Sequence, residues 1–348
     1  MYKIEKLNSI FENYMVFREL NPVRKNLPQF EDIKRELRFE RLPRKKDALY
    51  AKALGYIFKS IRDFKKVFYI GDTLLSDGAV IENFAKSGLF QSFGVITREE
   101  GKEQMELREN FVFNARWANL KKAIELAEGK SFAIDSSTVF VIDIDKTAIG
   151  ARGRNDSAID KARIEAIFQL AGEIFERFDK DEFFSVYDKL NKKDYFYITS
   201  DNQDFVSILS MLLYGGAISF EELKAMNGIE EVLCFAISRA KGALRKAAEA
   251  VYKNVLSGNP TAFPSFRKAE FRKTIERMNF LPQDTPVSTL LEEEILITGE
   301  VFSAAVYAKE RGALVFGVSD KPALSTMPSG SVKLPPIFEK EMKVFGKY

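Results

Sequence analysis

Histidine is absent from this 348-residue chain, and cysteine occurs once, as Cys234. Without histidine, neither a Ser-His-Asp nor a Cys-His nucleophile can be assembled, and zinc sites built from His and Cys lack ligands. Any metal is therefore expected among oxygens, where Mg²⁺ is the natural ion. Cys234 lies in the apolar stretch Val232-Leu233-Cys234-Phe235-Ala236 and reads as buried packing. One thiol forms no intrachain disulfide, which fits a reducing compartment. No apolar run is long enough to span a bilayer, and Met1-Tyr2-Lys3-Ile4-Glu5-Lys6 lacks the apolar centre of a signal peptide, so a soluble cytoplasmic protein is expected. Excess charge is lacking too: 53 Lys and Arg against 50 Asp and Glu leave +3, with no drive toward nucleic acid or membrane. The basic stretch Lys34 to Lys46 carries Glu36 and Glu40 as well and reads as a solvated helical face.

What is present begins with Asp143-Ile144-Asp145-Lys146-Thr147, directly after the apolar run Thr138-Val139-Phe140-Val141-Ile142. That run is β-branched and aromatic and predicts a buried strand. Side chains alternate along a strand, so Asp143 and Asp145 can converge on one site while Ile144 points away. Two such carboxylates suit Mg²⁺-assisted phosphoryl transfer, one attacking phosphorus and the other shuttling the proton.

Three further apolar runs end in polar clusters. Lys66-Val67-Phe68-Tyr69-Ile70 leads into Gly71-Asp72 and Asp77-Gly78, Tyr195-Phe196-Tyr197-Ile198 into Thr199-Ser200, and Ala313 to Val318 into Ser319-Asp320-Lys321-Pro322. Helices are expected over 4–20, 45–64, 79–87 and about 117–127, from beyond Thr147 to about 190, and through most of 203–311, with a short strand from Phe93 to Thr97. Alternation of strands and helices argues for an α/β fold, a doubly wound parallel sheet whose strand ends share one crevice. Carboxylates there hold a metal, a hydroxyl holds phosphoryl oxygens, and a lysine offsets transition-state charge. The expected divisions are an N-terminal helical arm (1–44), a core (45–214 and 296–348) and a largely helical insertion or cap (215–295).

The Asp-x-Asp-x-Thr pattern after a hydrophobic strand resembles the first motif of the haloacid dehalogenase (HAD) superfamily. The resemblance implies a HAD-like Rossmannoid core with Asp143 as nucleophile and Asp145 as general acid/base, both also at the metal. It implies Thr199 as the phosphate-binding hydroxyl, with Ser200 as its alternative, and Lys321 as the motif lysine. Asp72 and Asp77 resemble the metal carboxylates of the fourth motif, and Thr147 completes the first. The motif order, fourth, first, second, third, is a cyclic shift of the usual one, which implies a circularly permuted core.

Arg152 and Arg154, in the glycine-containing loop after the first motif, are candidates for binding an anionic substrate group, and a solvated loop is the competing reading. Trp117 and the 31 phenylalanines read as core. The expected activity is Mg²⁺-dependent hydrolysis of a small phosphorylated metabolite through an aspartyl-phosphate. Other readings are a phosphotransferase or mutase, a non-hydrolytic regulatory or binding protein of HAD-like or receiver-like fold, and a metal-binding Asp-x-Asp of a glycosyltransferase.

Overall fold

Three of the four apolar runs expected to be strands are strands in the computed structural model, which describes residues 2–330 and 332–346. Among the described residues the strands are β1 (Ile4–Glu5), β2 (Met15–Val16), β3 (Lys66–Gly71), β4 (Gln91–Thr97), β5 (Met105–Leu107), β6 (Phe111–Asn114), β7 (Thr138–Asp143), β8 (Ile297–Thr298), β9 (Leu314–Val318) and β10 (Met342–Phe345). Seven form one sheet in the order β2-β9-β7-β3-β4-β6-β5, parallel throughout except for β5 at the edge. A small separate sheet joins β1, β10 and β8.

Every residue of β7 is buried, as its unbroken apolar run requires of a central strand covered on both faces. On one face, Val67, Tyr69, Val139, Val141, Phe316 and Val318 cluster with Leu54, Ile57 and Phe58 of the helix Ala48–Ile61 and with Phe84 of the helix Ala79–Ser87. Residues of opposite parity point away from that cluster: Phe68 stacks on Phe140 at 5.1 Å between ring centroids and leans on Phe132 at 5.7 Å. Helices Leu120–Gly129 and Gly299–Glu310 pack on β4, β6 and β9 and on each other, and share no residue with the first cluster. The result is the expected α/β arrangement, a mostly parallel sheet with helices on both sides.

The N-terminal 44 residues do not form a helical arm. Ile4, Leu7, Ile10 and Phe11 follow helical spacing, but the helix is confined to Asn8–Phe11 because Glu12 and Asn13 take left-handed φ values of 49° and 64°. The Asn8 side chain accepts the Asn13 N–H at 2.6 Å, and the chain then enters the main sheet as β2 beside β9.

The chain divides into two compact units. A helical unit consists mainly of Ala162–Lys273, and an α/β unit of most of the remainder. The helical stretch thus begins far ahead of the expected boundary at 215 and ends before 295. Tyr195-Phe196-Tyr197-Ile198 lies within it and is not a strand: a 3₁₀ turn, Lys193–Tyr195, runs into the short helix Phe196–Thr199. Tyr195 and Ile198 are buried in the core of that unit, where helical packing overrides the β-propensity of the aromatic run. Cys234, expected to be buried, is exposed. No helix among the described residues is long and apolar enough to cross a membrane.

Candidate metal and phosphoryl-transfer site

In the sheet, β7 lies between β3 and β9, with Ile142 opposite Ile70 and Asp143 opposite Val318. The carboxyl ends of these three strands therefore deliver Asp72, Asp143 and Ser319 side by side, where open α/β sheets form their crevice. After β3 the chain makes a five-residue π-helical turn, Leu74–Gly78, which folds Asp77 back over the strand end. Gly71 is required for this return, since a Cβ there would lie 2.5 Å from the Asp77 side chain.

Carboxylate oxygens of Asp72, Asp77 and Asp143 lie within 4.8 Å of one another, and all three residues are buried. Three carboxylates this close repel one another, and the protein counters them with two cations. The Lys45 ammonium is buried against them, 2.9 Å from Asp77 Oδ1 and in direct contact with Asp143 Oδ1. The Arg152 guanidinium, through Nε, contacts Asp72 Oδ2. Asp77 is the most heavily bonded of the three. Its Oδ1 also accepts the Tyr69 hydroxyl at 2.8 Å, while its Oδ2 accepts the Asp72 and Thr73 N–H groups at 3.2 and 3.0 Å and the Thr73 hydroxyl at 2.9 Å. Asp143 Oδ2 accepts the Thr147 hydroxyl at 3.2 Å.

These environments separate the titrations. Burial raises the Asp72 carboxyl to about 7, with Asp77 adding to the rise and Arg152 opposing it. Burial likewise pushes Asp143 well above the ordinary carboxylate value against the pull of Lys45. Asp77 goes the other way: burial opposes, but Lys45 and the hydrogen bonds of Thr73 and Tyr69 hold it below its usual value. Lys45 is kept firmly charged, since Asp143 and Asp77 outweigh its burial.

Asp145, expected at the metal, stands apart from this triad. Its Oδ1 lies 2.9 Å from the Lys321 ammonium. Lys321 thus reaches Asp145, and the cation on Asp143 is Lys45, expected on a solvated face. Within that basic stretch the helix Phe30–Leu37 ends after Leu37, and by Lys45 the chain has turned inward, two residues before the N-cap Asp47 of the helix leading into β3. The available signal was position: a lysine immediately ahead of the helix that precedes the Asp72 strand.

Thr199 and Ser200 belong to the helical unit and not to a strand end of the sheet. Helix Gln203–Tyr214 is capped by Asn202, whose side chain accepts the Asp204 N–H at 3.1 Å. The hydroxyl beside β7 in the sheet is Ser319, at the end of β9, buried and accepting the Lys321 N–H at 3.0 Å. Arg154 turns away from the triad to a bidentate pair with Glu300, at 3.0 and 2.8 Å. Arg152 alone of the two loop arginines meets a site carboxylate. The Arg152 carbonyl accepts the Glu99 N–H and the Trp117 indole N–H, each at 3.0 Å, so Trp117 is both core and anchor for this loop. Gly153, at φ 77°, passes so close to Glu99 that a Cβ would lie 2.0 Å from its carbonyl oxygen.

An oxygen-only cluster of three buried carboxylates fits a hard divalent cation such as Mg²⁺. Beside it stand a carboxylate on an ammonium (Asp145 on Lys321) and a buried hydroxyl (Ser319), the groups a phosphoryl transfer uses. A scan against protein-family models found none that matches the chain, and searches of curated proteins and of solved structures likewise returned no match.

Proposed function

We propose that this chain is a Mg²⁺-dependent phosphomonoester hydrolase of HAD-like type acting through an aspartyl-phosphate on Asp143. The observation that carries the reading is the buried triad of Asp72, Asp77 and Asp143, drawn from two adjacent strand ends, with Lys45 bound to Asp77 and Asp143. An N-terminal strand and a mid-chain strand meet here as the cyclic shift of motifs requires. With Lys45 as the lysine and Ser319 as the hydroxyl, the order becomes third, fourth, first, second, which is again a cyclic shift.

Asp72, Asp77 and Asp143 would hold Mg²⁺, which supplies positive charge to the phosphoryl oxygens. A carboxylate oxygen of Asp143, oriented by Thr147, attacks phosphorus, and the bond from phosphorus to the ester oxygen breaks. Asp145, steered by Lys321, gives its proton to the departing alkoxide. In the second half Asp145 takes a proton from water, the hydroxide attacks phosphorus, and orthophosphate leaves with the Asp143 carboxylate restored. Lys45 offsets the negative charge that gathers beside Asp143, and the Ser319 hydroxyl donates to a phosphoryl oxygen. Arg152, anchored at its backbone and partly exposed at its side chain, is suited to exchange Asp72 for a substrate anion.

The test is phosphate release from a panel of phosphorylated metabolites and an aryl phosphate, with Mg²⁺ and with EDTA. Release that needs Mg²⁺ is expected. No release at high enzyme concentration, with Mg²⁺ bound, would replace this reading with a non-hydrolytic binding or regulatory protein.

A further inference from the structure

Tyr50 lies in the first turn of the helix Ala48–Ile61, five residues after Lys45, with its ring buried in the sheet-facing core. Its hydroxyl is buried too, yet it is one of the few side-chain polar atoms in the α/β unit with no hydrogen-bond partner among the described residues. Phenol hydroxyls in protein interiors normally find a partner, and one left without costs stability. The neighbouring buried tyrosine follows that rule, since the Tyr69 hydroxyl donates to Asp77. The chain places it close to the site: Tyr50 is three residues after the N-cap Asp47, and Lys45, two residues before that cap, contacts Asp143. The helix that carries it has fourteen residues, and its positive N-terminal end lies in the same place as Lys45.

We propose that the Tyr50 hydroxyl is a substrate-binding donor whose partner is an oxygen of the bound phosphoryl group. The inference rests on the phosphatase reading and adds to it a residue that no motif marks. Around Asp143 the chain then offers cationic and hydroxyl donors (Lys45, Tyr50, Ser319) together with carboxylates (Asp72, Asp77, Asp143). That combination suits a tetrahedral oxyanion bound between a metal and neutral or cationic donors. A phenol on the first turn of a helix is a rigid donor, since only two side-chain torsions position it.

Tyr50→Phe keeps the ring and removes only the hydroxyl. A structural hydroxyl and a ligand-binding one then give opposite results in the same variant. The expected result is an unchanged or higher melting temperature for the ligand-free protein, because no bond is lost. Alongside it, kcat/KM for Mg²⁺-dependent phosphate release and the affinity for inorganic phosphate, measured by calorimetry in the presence of Mg²⁺, should each fall about tenfold or more. A variant with wild-type kcat/KM and wild-type phosphate affinity overturns the inference, and so does a clear drop in melting temperature, which would reveal a structural partner. The two readings fail separately. If the wild-type protein binds phosphate but releases none from esters, hydrolysis is lost and the phosphate affinities alone decide the role of Tyr50. If the wild-type protein with Mg²⁺ binds no phosphate, the role of Tyr50 falls with it.

Discussion

Asp143→Asn is expected to lower Mg²⁺-dependent phosphate release by about 10⁴-fold or more while the protein stays folded. The amide is nearly isosteric with the carboxylate but carries no charge and cannot form the acyl-phosphate bond to phosphorus. Its effect on stability should be small or favourable. Burial disfavours the ionised form of Asp143, and neutralising it relieves its repulsion with Asp72 and Asp77. Lys45 keeps its second partner, Asp77, in the variant. Circular dichroism and a melting curve separate the two outcomes: a folded, inactive variant supports the nucleophile assignment, and near-normal turnover removes it.

Lys45→Met is expected to be the most destabilising single change in the site. The ammonium is almost wholly buried and touches two buried carboxylates, so its removal leaves both without their main counter-charge. Breaking a buried pair from one side costs about 3–5 kcal/mol, an appreciable share of the stability of a typical domain. Chemical denaturation measures this loss directly. Added Mg²⁺ should restore part of it, since a ligand that binds only the folded state stabilises in proportion to its occupancy. Lys321→Met, by contrast, removes the partner of the less buried Asp145 and is expected to slow turnover with a smaller stability loss. If Lys321→Met proves the more destabilising of the two, Lys45 is not the cation on which the triad depends.

Much of this arrangement was legible in the chain because strands announce themselves locally. The runs ending at Gly71, Asp143 and Val318 are continuous, β-branched and aromatic, and each forms a strand close to its expected limits. Asp72, Asp77 and Asp143 followed from the rule that parallel strand ends share a crevice, and their oxygens do converge. What the rule lacks is strand order. That β9 pairs with β7 depends on tertiary packing, and this order makes Ser319 the hydroxyl adjacent to Asp143 in the sheet, in place of Thr199. Thr199 depends on Tyr195 to Ile198 being a strand: their aromatic content favours sheet, but the helical core of the second unit claims the segment. Lys45 escaped because a lysine in a basic stretch is usually solvated, and only the inward turn before Asp47 buries it. The N-terminal pattern misled in a similar way, since helical spacing does not register that Glu12 and Asn13 leave the helical region.

The central claim is that phosphate passes through Asp143, and it is tested most directly by quenching the enzyme in acid during turnover and mapping the phosphorylated peptide by mass. The account predicts a transient phosphoryl group on the peptide containing Asp143, formed only with Mg²⁺ and missing from Asp143→Asn. Sustained phosphate release with no phosphoryl group on that peptide, or with one elsewhere in the chain, would contradict it.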